Sequence, residues 1–501
     1  MGNYVAGSAQ SDSERDSNST NSNKFNLKKR RLDGQVDDDF EEVLHTPKRK
    51  RLKSTSKYIF TTLFVNGENS DISIVALGKT WKLHKLYLCQ SPYFSSMFSG
   101  SWKESSLTEV DMNIPDANIN IEALDVCLGS LYQDEVVIDP SKVESVLAAS
   151  SLLQLDGLIQ QCSDIMTDTI CLNTVCSYYI SSSMYGIQQT LQSCFEWLER
   201  NLMMTTNISL LKEISVDLMK SLIKSSSLFV LQVEMDIYSL IKKYVYLKLT
   251  PHWNGETKQL AKDADIYFRS LKEPGEFLNS EAGKIYEDLF RGVRLHHIIN
   301  DLSSTRLIDK DKIIPPSWIL PVYKQQWQNM LCVEQGQDKG PTESELTPEQ
   351  FRKYAMRCGR IISKEGEYCW RWTGFNYGVD LLLTFSKRQV IFKRNTNTHP
   401  VSNSVSLQPS RKIMFQVTVT TYNSQGHSKY TKSSGLNYLD LKKDQEKVVL
   451  EMDPSAEYPI QISVYYLCYS LPMDFLQPDS VENISEQSIA EESNETQEGW
   501  L

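Results

Sequence analysis

The chain has 501 residues, of which 40% are hydrophobic, and a formal net charge of −10 at pH 7. This length excludes a single small module and predicts about two to four domains. Residues 474–501 carry eight carboxylates and no Lys or Arg, so the remainder has a net charge near −2, which argues against wholesale nucleic-acid binding. The ten cysteines include no C-x-x-C pair, and no His lies near them at zinc-ligand spacing. We therefore expect reduced thiols, no metal and no cofactor, and the absence of a long apolar run predicts no transmembrane span.

The first 53 residues are polar and rich in Ser, Asn and Asp, and we predict that they are disordered because they offer little apolar surface to bury. Two basic runs in this segment favour nuclear import over a merely solvated linker. The residues of these runs are Lys28, Lys29, Arg30, Arg31, Lys48, Arg49, Lys50 and Arg51. Thr46 precedes Pro47 beside the second run, which is typical of a proline-directed phosphorylation site.

The N-terminal Met1-Gly2 pair indicates myristoylation of Gly2 as one interpretation. The motif is incomplete because Ala6 stands where Ser or Thr is preferred, so an ordinary initiator sequence is the alternative. One acyl chain and the basic runs together would supply the two weak signals that stable membrane attachment requires.

A helix is indicated at residues 56–64, and alternating apolar residues then predict a β-hairpin at 72–83 whose turn is Gly78-Lys79. Ser91-Pro92 predicts a helix start. The following order resembles the BTB (POZ) domain, an α/β fold that dimerises and recruits partners: Asp71, two strands, His84, Ser91-Pro92-Tyr93-Phe94 and Met97-Phe98.

This resemblance implies roles for individual residues. The implied cullin-3 contacts are Met97, Phe98, Trp102, Glu104, Leu153 and Leu155, with Trp102-Lys103-Glu104 as a hydrophobic-x-Glu element. The implied homodimer contacts are Tyr58, Ile59, Leu63 and Phe64. His84 and Asp71 match polar positions of the family that are structural, and Trp102 has the alternative of simply covering its own domain.

Further along, residues 128–132 and 136–138 resemble the later helix and strand of a BTB fold, and 146–162 resemble the helix pair that follows it in cullin-3 adaptors. We place the BTB domain at 54–162. Residues 163–332 show repeated helical periods and resemble an all-helical BACK domain at 233–238.

A polar linker is predicted at 333–346, followed by a β-rich domain at 347–472 that opens with the capping box Thr347-Pro348-Glu349-Gln350. Strand patterns at 379–385, 390–393, 413–420, 447–452 and 460–467 predict an antiparallel sandwich. Tyr368, Trp370 and Trp372 would share the core face of one strand. The candidate contacts for an unknown protein substrate are Arg371, Phe375, Asn376 and Tyr377.

The segments 46–59, 356–360 (MRCGR) and 366–378 (GEYCWRWTGFNYG) resemble the germ cell-less family, and this likeness extends over most of the chain. The predicted fold class is multidomain α+β, with a BTB/POZ α/β domain, an all-helical BACK domain, a C-terminal antiparallel β-sandwich-like domain and disordered termini. The acidic residues 473–501 form the second disordered end.

The resemblance implies a non-catalytic, substrate-recruiting adaptor of a cullin-3 RING ubiquitin ligase, located in the nucleus, its envelope or its matrix, with a role in germ-cell development or spermatogenesis. The alternative is a non-catalytic nuclear-envelope scaffold or transcriptional regulator that acts through BTB dimerisation, with nuclear lamina proteins as partners. An enzyme is disfavoured. Gly78-Lys79-Thr80 lacks the first glycine of a phosphate-binding loop, and His296-His297 lacks a third metal ligand at recognisable spacing.

Overall fold

The structure is a computed structural model that describes residues 55–470 apart from short gaps. The gaps are 100–105, 205–206, 272–274, 300–301, 345, 372–380, 395–407 and 424–427. The fold is multidomain α+β: an N-terminal α/β region, a run of helices and a C-terminal antiparallel sandwich follow one another along the chain. None of the helices in the described ranges is both long and apolar enough to cross a membrane.

The N-terminal region is a small sheet covered by helices. Its sheet has the order β2-β1-β3, in which β2 is antiparallel and β3 is parallel to β1. The elements are α1 (Thr55–Ile59), which continues as a π-helical turn (Phe60–Val65), β1 (Ile72–Ala76), β2 (Lys79–Leu83), α2 (Lys85–Leu88), α3 (Pro92–Phe98), β3 (Glu109–Asp111) and α4 (Ile121–Ser130).

The β1–β2 hairpin confirms the predicted strands but moves the turn by one residue. Leu77 and Gly78 adopt positive φ values of 49° and 80°, the left-handed geometry that two-residue hairpin turns require. Lys79 is not a turn residue, because it already pairs with Ala76 as the first residue of β2.

Helices fill the middle of the chain, and they share one continuous apolar core with the N-terminal sheet. This core extends from Ile72 to Ile319 and confirms the helix pair predicted at 146–162. The helices are α5 (Val143–Leu152), α6 (Asp156–Asp168), α7 (Val175–Tyr185), α8 (Gln188–Asn201), α9 (Ile208–Glu213), α10 (Val216–Lys224), α11 (Glu234–Leu249), α12 (Thr257–Arg269), α13 (Glu281–Lys284), α14 (Glu287–Arg291), α15 (Leu295–Ile298), α16 (Leu302–Asp311) and α17 (Pro316–Glu334), with 3₁₀ turns at Pro140–Lys142 and Phe277–Asn279.

The strand expected at residues 136–138 is wrong. This segment pairs with none of the described strands, and the Val137 side chain is 92% exposed. Its backbone is held instead by the Gln161 amide, which donates to the Val136 carbonyl oxygen at 2.6 Å. The β-branched residues favour an extended backbone here, but a strand also needs a neighbour to pair with.

The C-terminal region is a two-sheet antiparallel sandwich, as predicted. One sheet has the order β10-β8-β12-β4, with β9 also paired to β8, and the other has the order β11-β7-β6-β5. The sheets enclose an apolar core in which the ring centroids of Phe392 and Phe415 lie 5.3 Å apart. The elements are α18 (Pro348–Tyr354), β4 (Met356–Ile362), β5 (Tyr368–Arg371), β6 (Leu381–Ser386), β7 (Gln389–Arg394), β8 (Ser410–Tyr422), β9 (Ser428–Ser433), β10 (Asn437–Lys442), β11 (Glu446–Glu451) and β12 (Ile460–Leu467).

The polar segment after α17 packs against β8. Asp338 and Arg411 form an ion pair at 3.4 Å with both side chains buried, and the Lys412 N–H donates to the Lys339 carbonyl oxygen at 3.2 Å. Polar composition predicted a linker here, and these contacts hold the segment against the sandwich. The capping box of α18 is confirmed, since Thr347 and Gln350 each accept from the backbone N–H of the other.

Candidate functional site

The BTB surface predicted to meet a partner is built on α3. The Ser91 hydroxyl caps this helix by accepting from the Phe94 N–H, and it donates to the Leu153 carbonyl oxygen at 2.5 Å, which ties α3 to the end of α5. Phe94 is fully buried, whereas Met97 and Phe98 are half-buried. The helix therefore presents part of its apolar face to solvent.

The hydrophobic-x-Glu element follows α3 directly in the chain. Trp102 and Glu104 lie in the gap 100–105, outside the described residues, so their role stays a prediction.

Leu153 and Leu155 are not surface residues. Leu153 is fully buried and Leu155 is 9% exposed, because both belong to the core under the α5–α6 pair. Their half-exposed neighbours are Leu152 and Ile159. The prediction of direct partner contacts by Leu153 and Leu155 is therefore revised: these side chains position the helix pair from beneath.

The four predicted dimer residues differ in exposure. Tyr58 is 63% exposed, whereas Ile59, Leu63 and Phe64 pack against the core of their own domain. The ring centroid of Phe64 lies 5.4 Å from that of Tyr132. Of the four, Tyr58 is the side chain most available to a second chain.

His84 and Asp71 have the structural roles that the sequence predicted. The Nδ1 atom of His84 lies 3.3 Å from the Tyr132 hydroxyl, and its Nε2 atom lies 2.9 Å from the Glu68 carbonyl oxygen. The Asp71 carboxylate accepts from the Lys85 N–H at 2.8 Å. Both residues thus hold the start of α2 in place.

A second candidate region lies where the sandwich meets the helices, and we call it the seam. Arg357 of β4 is 1% exposed and reaches into the helical region, where its Nε and Nη2 donate to the Glu234 carboxylate at 3.0 Å and 2.5 Å. Its Nη1 donates to the Ile223 carbonyl oxygen at 2.8 Å. Burial by itself raises the pKa of Glu234, but the charge and hydrogen bonds of Arg357 outweigh it, and the net pKa is lowered.

A second guanidinium crosses the seam from the other side. Arg294 donates from its two Nη atoms to the carbonyl oxygens of Ala355 and Arg352, and its backbone N–H donates to Glu234 at 3.0 Å. Burial lowers the pKa of Arg294 to about 10, and the Arg357 charge acts in the same direction. One carboxylate thus stands between two buried cations.

The His296-His297 pair also belongs to the seam. The two Nε2 atoms lie 3.1 Å and 2.7 Å from the Tyr354 carbonyl oxygen at the end of α18. Burial lowers the pKa of His296 to about 4 and that of His297 well below its ordinary value, so both rings are neutral near pH 7. No group of His, Cys, Asp or Glu in the described part of the chain is arranged to hold a metal ion.

The predicted substrate contacts are only partly within the described residues. Arg371 is the exposed last residue of β5, whereas Phe375, Asn376 and Tyr377 lie in the gap 372–380. Tyr368 and Trp370 of the same strand pack against the sandwich core, as predicted. Gly2, Thr46 and both basic runs also lie outside the described residues.

Comparison with known proteins agrees with this architecture. The sequence profile of the BTB/POZ domain matches residues 60–170, which include β1 to β3 and α2 to α6. The chain is therefore a BTB protein, a class whose domain mediates protein–protein association.

Relatives match over a much longer part of the chain. Germ cell-less protein-like 1 of Mus musculus is 52% identical over 437 residues, which cover 86% of this chain and 83% of the relative. Its Homo sapiens counterpart is also 52% identical over 437 residues, with 86% and 84% covered. The protein germ cell-less of Drosophila melanogaster is 34% identical over 472 residues, with 89% and 83% covered. The chain belongs to the germ cell-less family, as its motifs predicted.

Proposed function

We propose that this chain is a substrate-recruiting adaptor of a cullin-3 RING ubiquitin ligase and performs no catalysis itself. The observation that carries the proposal is the fixed connection between its two ends. The BTB module and the helices share one apolar core, and the buried Arg357–Glu234 pair joins the sandwich to the helices. Such a connection holds a substrate at a constant distance from the cullin, so its effective concentration for ubiquitin transfer is high.

The proposed cullin-3 surface is the exposed part of α3 together with the residues that follow it. Met97 and Phe98 offer half-buried apolar area. Trp102 is proposed as the central anchor and Glu104 as a polar contact at the rim, since buried aromatic residues dominate the binding energy of most interfaces. The α5–α6 pair, supported from beneath by Leu153 and Leu155, would extend this surface.

The sandwich is proposed to bind the protein substrate through Arg371 and the residues that follow β5 in the chain, among them Phe375, Asn376 and Tyr377. A homodimer formed through Tyr58 and its helix would present two substrate sites and two cullin sites, which increases avidity.

We propose a nuclear location, at the envelope or matrix, and a role in germ-cell development or spermatogenesis. The two basic runs at 28–31 and 48–51 support import, and modification of Gly2 or contact with lamina proteins would retain the chain at the envelope.

The test is calorimetric titration of the full chain with the N-terminal domain of cullin-3. The variant is Trp102→Ala with Glu104→Lys. The matched control is Trp327→Ala with Glu334→Lys, which makes the same chemical changes at exposed positions of α17. We expect the variant to lose about 2 kcal/mol or more of binding free energy, roughly 30-fold in Kd, and the control to bind like the parent.

Circular dichroism and sedimentation establish that each chain is folded and dimeric. If a folded, dimeric parent does not bind cullin-3, the adaptor mechanism is wrong for this chain. The nuclear-envelope scaffold or transcriptional regulator then becomes the better hypothesis, since neither requires Trp102 or Glu104.

A further inference from the structure

A pocket of about 610 Å³ opens at the seam, between α10, the α14–α15 region and α18, and we call it the seam pocket. Its lining is strongly cationic. Glu349 is the one carboxylate among its lining residues in the described part of the chain. The cationic side chains that line it are Lys224, Arg291, Arg294, Arg352, Lys353 and Arg357.

Part of this positive charge is neutralised inside the protein. Arg357 is paired with Glu234, and Arg291 is paired with Glu287 at 2.7 Å. Both pairs are complete, so these two cations contribute little to attraction of a further anion.

The remaining cations fall into two groups. Arg294 is buried and already has Glu234 beside it, since its backbone N–H donates to that carboxylate and its guanidinium donates to carbonyl oxygens. The side chains of Lys224, Arg352 and Lys353 are exposed. No described carboxylate lies within 4.0 Å of the ammonium of Lys224 or Lys353 or of the Arg352 guanidinium. These three cations lie around one concavity, and a concave site lined by one sign of charge focuses the field and raises the local concentration of anions. An anionic ligand is therefore attracted to this pocket.

We propose that the seam pocket binds an anionic peptide, and that its occupant is the acidic segment 474–501 of this same chain. That segment carries eight carboxylates and no Lys or Arg, so its charge is complementary to the pocket. The proposal does not rest on cullin-3 binding.

The position where the segment leaves the sandwich supports this occupant. The Ser470 hydroxyl donates to the Gly340 carbonyl oxygen at 2.7 Å, and the ring centroid of Tyr469 lies 6.3 Å from that of His296, which lines the pocket. The four residues from Ser470 to Asp474 span up to about 14 Å when extended. Asp474, the first carboxylate of the segment, is thus only five residues from Tyr469, whose ring lies beside the pocket-lining His296.

Attachment to the same chain gives the segment a large advantage over free peptides. Short tethers produce effective concentrations in the millimolar range, so even a weak individual affinity fills the site. Any acidic peptide from another protein has to displace the segment before it binds.

The test measures fluorescence anisotropy of a labelled peptide with the sequence of residues 474–501, at low and high ionic strength, against full-length chains. In the first variant the carboxylates of the segment are replaced by amides. The positions changed are Asp474, Asp479, Glu482, Glu486, Glu491, Glu492, Glu495 and Glu498. We expect this neutralised chain to bind the peptide at least about tenfold more tightly than the native chain, because its own segment no longer competes.

A second variant adds Arg352→Gln and Lys353→Gln to the neutralised chain, and its matched control adds Lys442→Gln and Lys443→Gln. All four side chains are exposed, so equal urea midpoints are expected. We expect the pocket variant to bind the peptide at least about tenfold more weakly than the control, with the difference shrinking at high salt.

Two results would overturn the proposal. Equal affinity of the peptide for the native and neutralised chains would mean that the segment does not occupy the pocket and that an acidic segment of a partner protein is the better candidate. Absence of binding, or equal loss in the pocket variant and its control, would mean that the seam pocket is not an anion site.

Discussion

Arg357 links two parts of the molecule that the sequence suggested were separate. Its backbone belongs to β4 of the sandwich, but its guanidinium is bonded to Glu234 at the first turn of α11 and to the Ile223 carbonyl oxygen at the end of α10. Buried ion pairs contribute little net stability when complete, yet they are costly to break. The pair therefore acts chiefly to fix how the sandwich docks.

Replacing Glu234 with Gln is expected to lower the free energy of unfolding by about 3–5 kcal/mol. The reason is that Arg357 and Arg294 would then be buried without any carboxylate between them. Urea denaturation followed by tryptophan fluorescence provides the measurement.

The control for this prediction is the exposed pair Lys393–Glu446, whose atoms lie 2.8 Å apart. Glu446→Gln is expected to change stability by less than about 0.5 kcal/mol. Adding Arg357→Met to Glu234→Gln should recover part of the lost stability, because it removes one of the two buried cations that are left without a carboxylate. A Glu234→Gln chain as stable as the parent would contradict the role assigned to this pair.

At the scale of elements, β4 and β12 both join the sandwich to the helices: the Tyr465 hydroxyl of β12 donates to the Leu228 carbonyl oxygen at 3.1 Å, and β4 makes a direct backbone contact. Gly359 in its middle pairs with Ser463 of β12 and forms an isolated bridge to Gln232, whose N–H donates to the Gly359 carbonyl oxygen at 3.0 Å. A Cβ atom at this position would lie 2.6 Å from the Val230 carbonyl oxygen. Glycine is required here because two backbones approach each other too closely for a side chain.

Gly359→Ala is expected to push β4 away from the segment 229–232 and to cost about 1–3 kcal/mol. Hydrogen exchange read by mass spectrometry should show faster exchange at this segment and at residues 356–362. Gly157→Ala in α6 is the matched control, because a Cβ there meets no atom within 4 Å. Unchanged exchange in the Gly359→Ala chain would mean that β4 does not hold the two regions together.

Elements with a strong local signal were the ones that the sequence predicted. The β1–β2 hairpin, the Ser91 cap and the capping box at Thr347 depend on neighbouring residues alone, and the structure contains all three. The strand β3 of the N-terminal sheet and the strands β4, β9 and β10 of the sandwich were not predicted. β9 and β10 are polar and largely exposed, so they lack the alternation that marks a strand, and β4 is buried at nearly every position.

At the scale of the whole molecule, one apolar core extends from the BTB sheet through the helices, and a second fills the sandwich. The helix α1 packs Ile59 against the first of these cores but leaves the Tyr58 side chain in solvent. A large exposed aromatic side chain is the type of residue that often anchors protein–protein contacts. This is the surface that we expect a homodimer to use.

Tyr58→Glu is therefore expected to raise the dimer dissociation constant by at least about tenfold, because it places a charge in an apolar contact. Analytical ultracentrifugation over a range of concentrations is the measurement. Ile266→Glu, at a 57% exposed position of α12, is the control and should dimerise like the parent. A Tyr58→Glu chain that remains fully dimeric would place the dimer contact elsewhere.

The sequence by itself determined the family and the succession of a BTB region, helices and a β-rich region, because these follow from local motifs and from the periods of helices and strands. Only the tertiary structure decided that Leu153 is buried beneath the helix pair, that residues 336–340 pack on the sandwich, and that Arg294, Arg357 and Glu234 converge at the seam. These facts depend on contacts between distant residues, such as Glu234 and Arg357, which are 123 positions apart in the chain, and no local pattern records which distant side chain will share a buried site.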